Sequence, residues 1–270
     1  MQGSTAKPPV KGAATPANVP EPVEFLGLTF EPRKPRDAAR LIASRALGSE
    51  KYWYVVTPNV DHMVRLQRET DLRSLYESAD LVLNDSRILE LLARLEGIDL
   101  PASPGADIVH NLFERHVDPE EPVVVIGCTA SEITALKARF GLSDVRWHDP
   151  PMGLRHKPDA VKAAADFMAR NPARFHFLCV GSPQQEMVAE AAKALGTVQG
   201  VGLCCGASID FLTGRTKRAP SWMRRFGLEW LHRLTSEPQR LSKRYLIDGP
   251  TIVGIWLKDR KRRKNGSRSG

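Results

Sequence analysis

One carboxylate of this chain follows an apolar run that reads as a strand. Leu81–Leu83 gives way to Asn84, Asp85 and Ser86, and a leucine-rich helical pattern begins at once. All three residue types are preferred helix N-caps, so Asp85 could serve only to start that helix. A carboxylate placed there could instead act as a general base that takes the proton of a substrate hydroxyl. The triplet alone leaves both interpretations open.

A second polar segment runs from Gly181 to Glu186. Ser182 as N-cap, Pro183 at the first helical position and Gln185 three residues after the cap form the pattern of a capping box. The same helix N-terminus could bind an anion such as a diphosphate. The two interpretations are compatible, and the segment predicts both.

Metal and cofactor motifs are absent from the sequence. It contains neither GxGxxG nor GxxxxGK[ST], and its histidines are scattered. The cysteines show no CxxC or Cys/His metal spacing, so we expect reduced, buried thiols, no metal centre and no cofactor. The four cysteines are Cys128, Cys179, Cys204 and Cys205.

Apolar runs alternate with helical patterns along most of the chain. This order predicts an α/β fold, a Rossmann-like and largely parallel sheet with helices on both faces. Such sheets bind ligands beyond the carboxyl ends of their strands. Thr57, Asp85, Gly127 and Gly181 lie at such ends, which favours the catalytic interpretation of Asp85. The predicted strands lie within 52–57, 81–83, 123–127, 145–147, 175–180 and 198–203. One predicted helix begins after residue 59, and the others lie near 86–95, 106–115, 131–140, 158–170 and 183–195.

The charge of the chain is concentrated at its C-terminal end. The net charge is +8, but residues 215–270 alone carry 16 Lys/Arg against 4 Asp/Glu, and the rest of the chain is mildly acidic. Aromatic residues and arginines interleave there, which predicts a helical, basic appendage on an anionic membrane surface. Single-stranded nucleic acid is the competing partner, but the body shows no RRM, KH or OB signature.

Composition divides the chain into four parts. Residues 1–22 are rich in Pro, Ala and Gly and predict a disordered leader. We expect residues 23–214 to form the α/β core, 215–257 a helical membrane-binding appendage, and 258–270 a basic disordered tail. The longest apolar run near the C-terminus, Thr251–Leu257, is far too short to span a bilayer.

Several blocks together resemble the WecG/TagA/CpsF family of bacterial glycosyltransferases, over roughly residues 23–247. The blocks are Thr57-Pro58-Asn59, Ala79–Asp85, Gly105-Ala106-Asp107, Pro150–Gly153, Gly181–Glu186, Gly200-Val201-Gly202 with Asp210-Phe211, and Arg218-Ala219-Pro220 with Gly227–Leu234 and Glu237-Pro238.

The resemblance implies an inverting, metal-independent hexosyltransferase. It would move a sugar from a UDP-sugar to a saccharide on a polyprenyl diphosphate, in cell-surface polysaccharide synthesis on the cytoplasmic face of the bacterial membrane. Asp85 matches the proposed base, and Thr57 and Asn59 match its pocket partners. The implied substrate-binding residues are Gly181, Gln185, Glu186, Asp210, Arg218, Arg233, Arg240 and Arg244, with Lys243 as an alternative to Arg244.

This chain departs from the family pattern at two places, and the second, a missing arginine, bears on donor or acceptor specificity. The family usually has glycine after its acid, where this chain has Ser86, and an arginine in the block before Gly105, where this chain reads Pro101-Ala102-Ser103-Pro104. Activity is still expected, because the acid and the appendage arginines remain.

A second hypothesis from another class is a non-catalytic nucleotide- or nucleic-acid-binding protein that uses the basic tail. The oligomeric state, a homo-oligomer included, is left open.

Overall fold

The computed structural model describes residues 20–215, 220, 223, 231 and 249–266. Its strands are β1 (Val23–Phe25), β2 (Leu28–Phe30), β3 (Trp53–Val56), β4 (Leu81–Val82), β5 (Val123–Ile126), β6 (Val145–His148), β7 (Phe175–Leu178) and β8 (Val201–Cys204). Its helices are α1 (Pro35–Ala46), α2 (Val60–Arg68), α3 (Arg73–Glu77), α4 (Arg87–Arg94), α5 (Gly105–Arg115), α6 (Ala130–Phe140), α7 (Pro158–Arg170), α8 (Gln184–Leu195), α9 (Ser208–Leu212) and α10 (Gly249–Gly266). Short 3-10 turns occupy Thr70–Leu72 and Leu154–His156.

Six parallel strands form the central sheet in the order β4-β3-β8-β7-β5-β6. Val55 lies beside Leu81 on one side and Leu203 on the other, so three strands distant in sequence are in register. A small antiparallel hairpin of β1 and β2 stands apart from this sheet. The arrangement confirms the predicted α/β fold, although most strands are shorter than the apolar runs that predicted them.

The sheet is covered on both faces, because its side chains alternate between two cores. In β3, Tyr54 and Val56 join one apolar cluster, and Trp53 and Val55 join the other. Helices α2, α3, α4, α7, α8 and α10 cover the first face, and α1, α5, α6 and α9 cover the second. Strands buried on both faces read as continuous apolar runs, which is why the sequence revealed them.

Helix α10 differs from the disordered end expected after residue 258. Its residues Ile252 and Trp256 are buried against the first core. Asp259 accepts a hydrogen bond from the backbone N–H of Leu26 at 3.2 Å, and Arg263 forms ion pairs with Glu96 and Asp259. The basic run therefore has acidic partners elsewhere in the fold, which a local count of like charges could not reveal.

The leader and the appendage fall largely outside the described residues. The structure describes only 20–22 of the first and 215, 220, 223, 231 and 249–257 of the second. Among all described residues, no helix has the length and apolar character that crossing a bilayer requires.

Candidate active site

The loops that follow β3 and β4 meet at the carboxyl edge of the sheet. The N–H of Leu83 donates to the carbonyl of Val56 at 3.0 Å, and the N–H of Asp85 donates to the carbonyl of Pro58 at 3.1 Å. These two bonds extend the pairing of neighbouring parallel strands into their loops. As a result, Asp85 lies at the edge where open α/β sheets bind ligands.

The Asp85 carboxylate accepts hydrogen bonds on both oxygens. The backbone N–H of Gly105, the first residue of α5, donates to Oδ1 at 2.9 Å. The side-chain amide of Asn59 donates to Oδ2 at 3.4 Å. Asp85 is half-buried, and these bonds give its carboxylate a defined orientation at the sheet edge.

Ser86, not Asp85, caps helix α4. The Ser86 hydroxyl accepts from the N–H groups of Ile88 and Leu89 at 3.2 and 3.3 Å. Asn84 is buried and braces the loop, because its side chain accepts from the Ser86 N–H and donates to the carbonyl of Leu100. The interpretation of Asp85 as the N-cap is therefore excluded.

Asn59 contacts the Asp85 carboxylate, and Thr57 lies close to Gly105, whose N–H bonds to that carboxylate. The Asn59 side-chain oxygen caps α2 by accepting from the N–H groups of Asp61 and His62, which turns its NH₂ group toward Asp85. A Cβ on Gly105 would lie 3.0 Å from the Thr57 hydroxyl oxygen. Thr57, Asn59 and Asp85 thus all lie near the start of α5, and their assigned roles in catalysis stay predictions.

Gln185 and Glu186 are buried at the start of α8 and are bonded to each other. The amide of Gln185 donates to Glu186 Oε1 at 2.9 Å, and its oxygen accepts from the N–H of Gly206 at 2.8 Å. Their side chains are only 4% and 1% exposed. Burial raises the pKa of Glu186, which the hydrogen bond from Gln185 partly opposes. Gln185 thereby joins the start of α8 to the loop after β8.

The predicted capping box at Ser182 is wrong. The Ser182 hydroxyl instead contacts Arg65 Nη2 at 2.5 Å and the Tyr76 hydroxyl at 3.0 Å, and Pro183 is the N-cap without a side-chain bond. Tyr76 also donates to Glu186. Local sequence could not show this, because Arg65 and Tyr76 come from α2 and α3.

Gly181 has a φ of 75°, a left-handed conformation that favours glycine. Nothing lies within 4 Å of the position that a Cβ would take there. The left-handed backbone conformation, and not a close contact, therefore explains why glycine occupies position 181.

Asp210 lies in a separate acidic cluster of α6 and α9. It is hydrogen-bonded to Glu132, whose Oε1 forms an ion pair with Arg215 at 2.9 Å. Burial and the neighbouring Glu132 raise the pKa of Asp210, whereas hydrogen bonds from Arg215 and Thr129 lower that of Glu132 against the effect of burial. Asp210 is therefore the carboxyl of this pair that binds a proton first as the pH falls, a partnership that sequence reasoning missed.

The predicted appendage arginines lie outside the described residues. These are Arg218, Arg233, Arg240 and Arg244, together with the alternative Lys243. Their proposed contacts with substrate diphosphate stay predictions.

Residues 23–266 match the profile of the Glycosyl transferase WecG/TagA/CpsF family. Because the match covers nearly the whole chain, the chain belongs to this family of glycosyltransferases, which acts in the synthesis of cell-surface polymers.

Proposed function

We propose that this member of the WecG/TagA/CpsF family is an inverting hexosyltransferase. Its donor is a UDP-sugar, its acceptor is a saccharide on a polyprenyl diphosphate, and its transfer step needs no metal. One observation carries the proposal. Hydrogen bonds from Gly105 and Asn59 orient the Asp85 carboxylate at the carboxyl edge of the sheet, and Ser86, not Asp85, caps α4.

In the proposed reaction Asp85 takes the proton of the acceptor hydroxyl. The acceptor oxygen then forms a bond to the anomeric carbon while the bond to the nucleoside diphosphate breaks on the opposite face, so the configuration inverts. One carboxylate suffices as the base. The negative charge that develops on the leaving diphosphate needs cationic partners, and arginines can supply them through paired hydrogen bonds. We assign that role to Arg218, Arg233, Arg240 and Arg244.

The catalytic assignment is tested with Asp85→Asn. The amide keeps the shape of the side chain but cannot accept the proton, so we expect the transfer rate to fall roughly 100-fold or more. UDP binding and the melting temperature should stay close to those of the wild type. Product is measured by mass spectrometry with a panel of UDP-sugars and a synthetic polyprenyl-diphosphate-linked saccharide.

Asp159→Asn is the matched control, because Asp159 is an exposed acid in the first turn of α7. It loses the same charge at a helix start without touching the site, and its transfer rate should equal that of the wild type. Wild-type transfer by Asp85→Asn would refute the role of Asp85 as the base.

Helix α10 supports a peripheral position on an anionic inner membrane surface. Val253 and Leu257 lie four residues apart on one face and are 46% and 52% exposed. Exposed Lys258 and Lys261 follow them. Apolar side chains beside lysines fit the boundary between anionic headgroups and acyl chains.

Vesicle binding separates this proposal from nucleic-acid binding. We expect the protein to sediment with phosphatidylglycerol vesicles, and the double variant Lys258→Glu, Lys261→Glu to sediment less. Single-stranded RNA across a salt series is the comparison, since phosphate contacts give a steep salt dependence. Preferential binding to RNA without sugar transfer would favour the non-catalytic alternative.

A further inference from the structure

Helix α4 presents a row of apolar side chains to the outside of the molecule. Ile88, Leu91 and Leu95, the residue that follows the helix, are 36%, 55% and 60% exposed. At about 100° per residue, these three positions lie within an arc of about 60° on the helix surface. Another side of the same helix buries Leu89 and Leu92 in the first core. The three exposed side chains, which we call the α4 stripe, are therefore additional to the side that the core covers.

Two arginines border the α4 stripe. Arg87 and Arg94 are exposed and lie next to Leu91 on the helix surface. Both form ion pairs with Glu90, at 2.8 and 3.6 Å, but the side chain of Glu90 is only 16% exposed. Solvent therefore meets the two cations more than their acidic partner. An apolar stripe with cations along one border fits the boundary between acyl chains and anionic headgroups.

The α4 stripe and the exposed face of α10 belong to the same side of the molecule. Both helices cover the first face of the sheet. The ion pair between Glu96 and Arg263, at 3.0 Å, joins the end of α4 to the last turns of α10. Since α10 carries exposed Val253 and Leu257, two elements on one side of the protein present apolar side chains beside cations.

A second copy of the chain is a less suitable partner, because the α4 stripe is small. Helix α4 has eight residues and is about 12 Å long. A standard protein interface buries roughly 800 Å² on each partner, from about 20 or more residues. Three side chains on one short helix supply only a small part of that area. Shallow insertion into the headgroup region needs no more than one apolar face.

We infer that the α4 stripe docks on an anionic phospholipid surface, with its apolar side chains at the acyl boundary and Arg87 and Arg94 on lipid phosphates. This docking adds a second contact to the one proposed for α10. Its purpose rests on the proposed function. Asp85 lies two residues before α4, so a docked α4 holds the base at the surface where a lipid-linked acceptor is presented.

The test compares the full-length protein with the double variant Leu91→Gln, Leu95→Gln. Glutamine has nearly the helix propensity of leucine and both positions are exposed, so the melting temperature should stay close to that of the wild type. In sedimentation with phosphatidylglycerol vesicles, the partition coefficient of the double variant should fall roughly tenfold, because two leucine side chains lose their burial. The wild type should bind phosphatidylcholine vesicles much more weakly, since these lack the net negative charge.

Leu47→Gln is the matched control. Leu47 is an exposed leucine that follows α1, on the other face of the sheet, and its variant should bind vesicles as the wild type does. Should the double variant fail to fold, the single variants Leu91→Gln and Leu95→Gln provide the test. Each should lower the partition coefficient roughly threefold.

Four results would overturn the inference. They are a wild type that does not bind phosphatidylglycerol vesicles, a folded double variant that binds as the wild type does, an equal loss in Leu47→Gln, and a dimer in analytical ultracentrifugation that the double variant dissociates. In the last case a second copy covers the stripe. Vesicle binding needs no sugar transfer, so docking through the stripe without transfer would refute the proposed function and leave the docking intact.

Discussion

At the scale of residues, three adjacent polar side chains divide three tasks. Asn84 braces the loop, Ser86 caps α4, and the Asp85 carboxylate is oriented by the backbone of Gly105 and the amide of Asn59. Asn59 has two tasks of its own, since its oxygen caps α2 and its NH₂ group donates to Asp85. Those two tasks can be separated by mutation.

Asn59→Ser is expected to keep the cap and lose the donor to Asp85. Ser caps helices about as well as Asn, so the free energy of unfolding should change by less than about 0.5 kcal/mol while kcat falls. Asn59→Ala should lose both, with stability reduced by about 1 kcal/mol. Urea denaturation and steady-state transfer assays provide the two measurements. Equal kcat for Asn59→Ser and the wild type would mean that the amide does not help Asp85.

His176 is expected to make the stability depend on pH. It is completely buried, and burial lowers its pKa from 6.5 to about 4 against its bonds to Gln199 and Ala173. Between these pH values the unfolded chain binds the proton and the folded chain does not, so stability falls as pH drops from about 6.5 to about 4. The loss is at most roughly 3 kcal/mol.

The measurement is the free energy of unfolding in urea at several pH values. His176→Gln should have a flatter profile over this range, whatever its stability at neutral pH. An unchanged slope in that variant would show that other groups cause the acid sensitivity.

At the scale of elements, the start of α4 is capped by Ser86 and not by the neighbouring acid Asp85. Ser86→Ala removes the acceptor for two N–H groups and should cost about 1 kcal/mol. Asp85→Asn should cost much less, because Asp85 does not cap α4. Thermal and urea denaturation of the two variants would decide this. If Asp85→Asn lost more stability than Ser86→Ala, Asp85 would have to be assigned a structural role.

At the scale of the whole molecule, the C-terminal helix α10 packs against the N-terminal part of the fold. It packs against the β1–β2 hairpin and α2, the helix that Asn59 begins. Its two faces differ, because Trp256 is 8% exposed and the adjacent Leu257 is 52% exposed. One face should therefore govern stability, and the other should govern membrane contact.

Trp256→Ala is expected to lower the free energy of unfolding by about 3 kcal/mol or more, as for other large buried side chains. Leu257→Ala should change it by less than about 0.5 kcal/mol but reduce sedimentation with anionic vesicles. Urea denaturation and vesicle sedimentation separate the two effects. If both variants lost stability equally, the exposed face of α10 would have to be buried as well.

The sequence by itself determined the α/β fold and the parallel sheet. Strands that are buried on both faces appear as continuous apolar runs, whereas in amphipathic helices apolar residues recur every three or four positions. It also placed Thr57 and Asp85 near the carboxyl edge, since each lies at the end of a recognisable strand, and the family resemblance added Asn59. It could not decide between cap and base for Asp85, because both uses look alike in one triplet.

Tertiary structure decided what depends on strands and helices meeting. It gave the cap of α4 to Ser86, joined Ser182 to Arg65 and Tyr76, and paired Asp210 with Glu132. It also left Cys128 and Cys179 half-exposed, where the sequence predicted buried thiols. Residues distant in the chain become neighbours only through strand order and helix packing, and short-range spacing in a sequence does not carry that information.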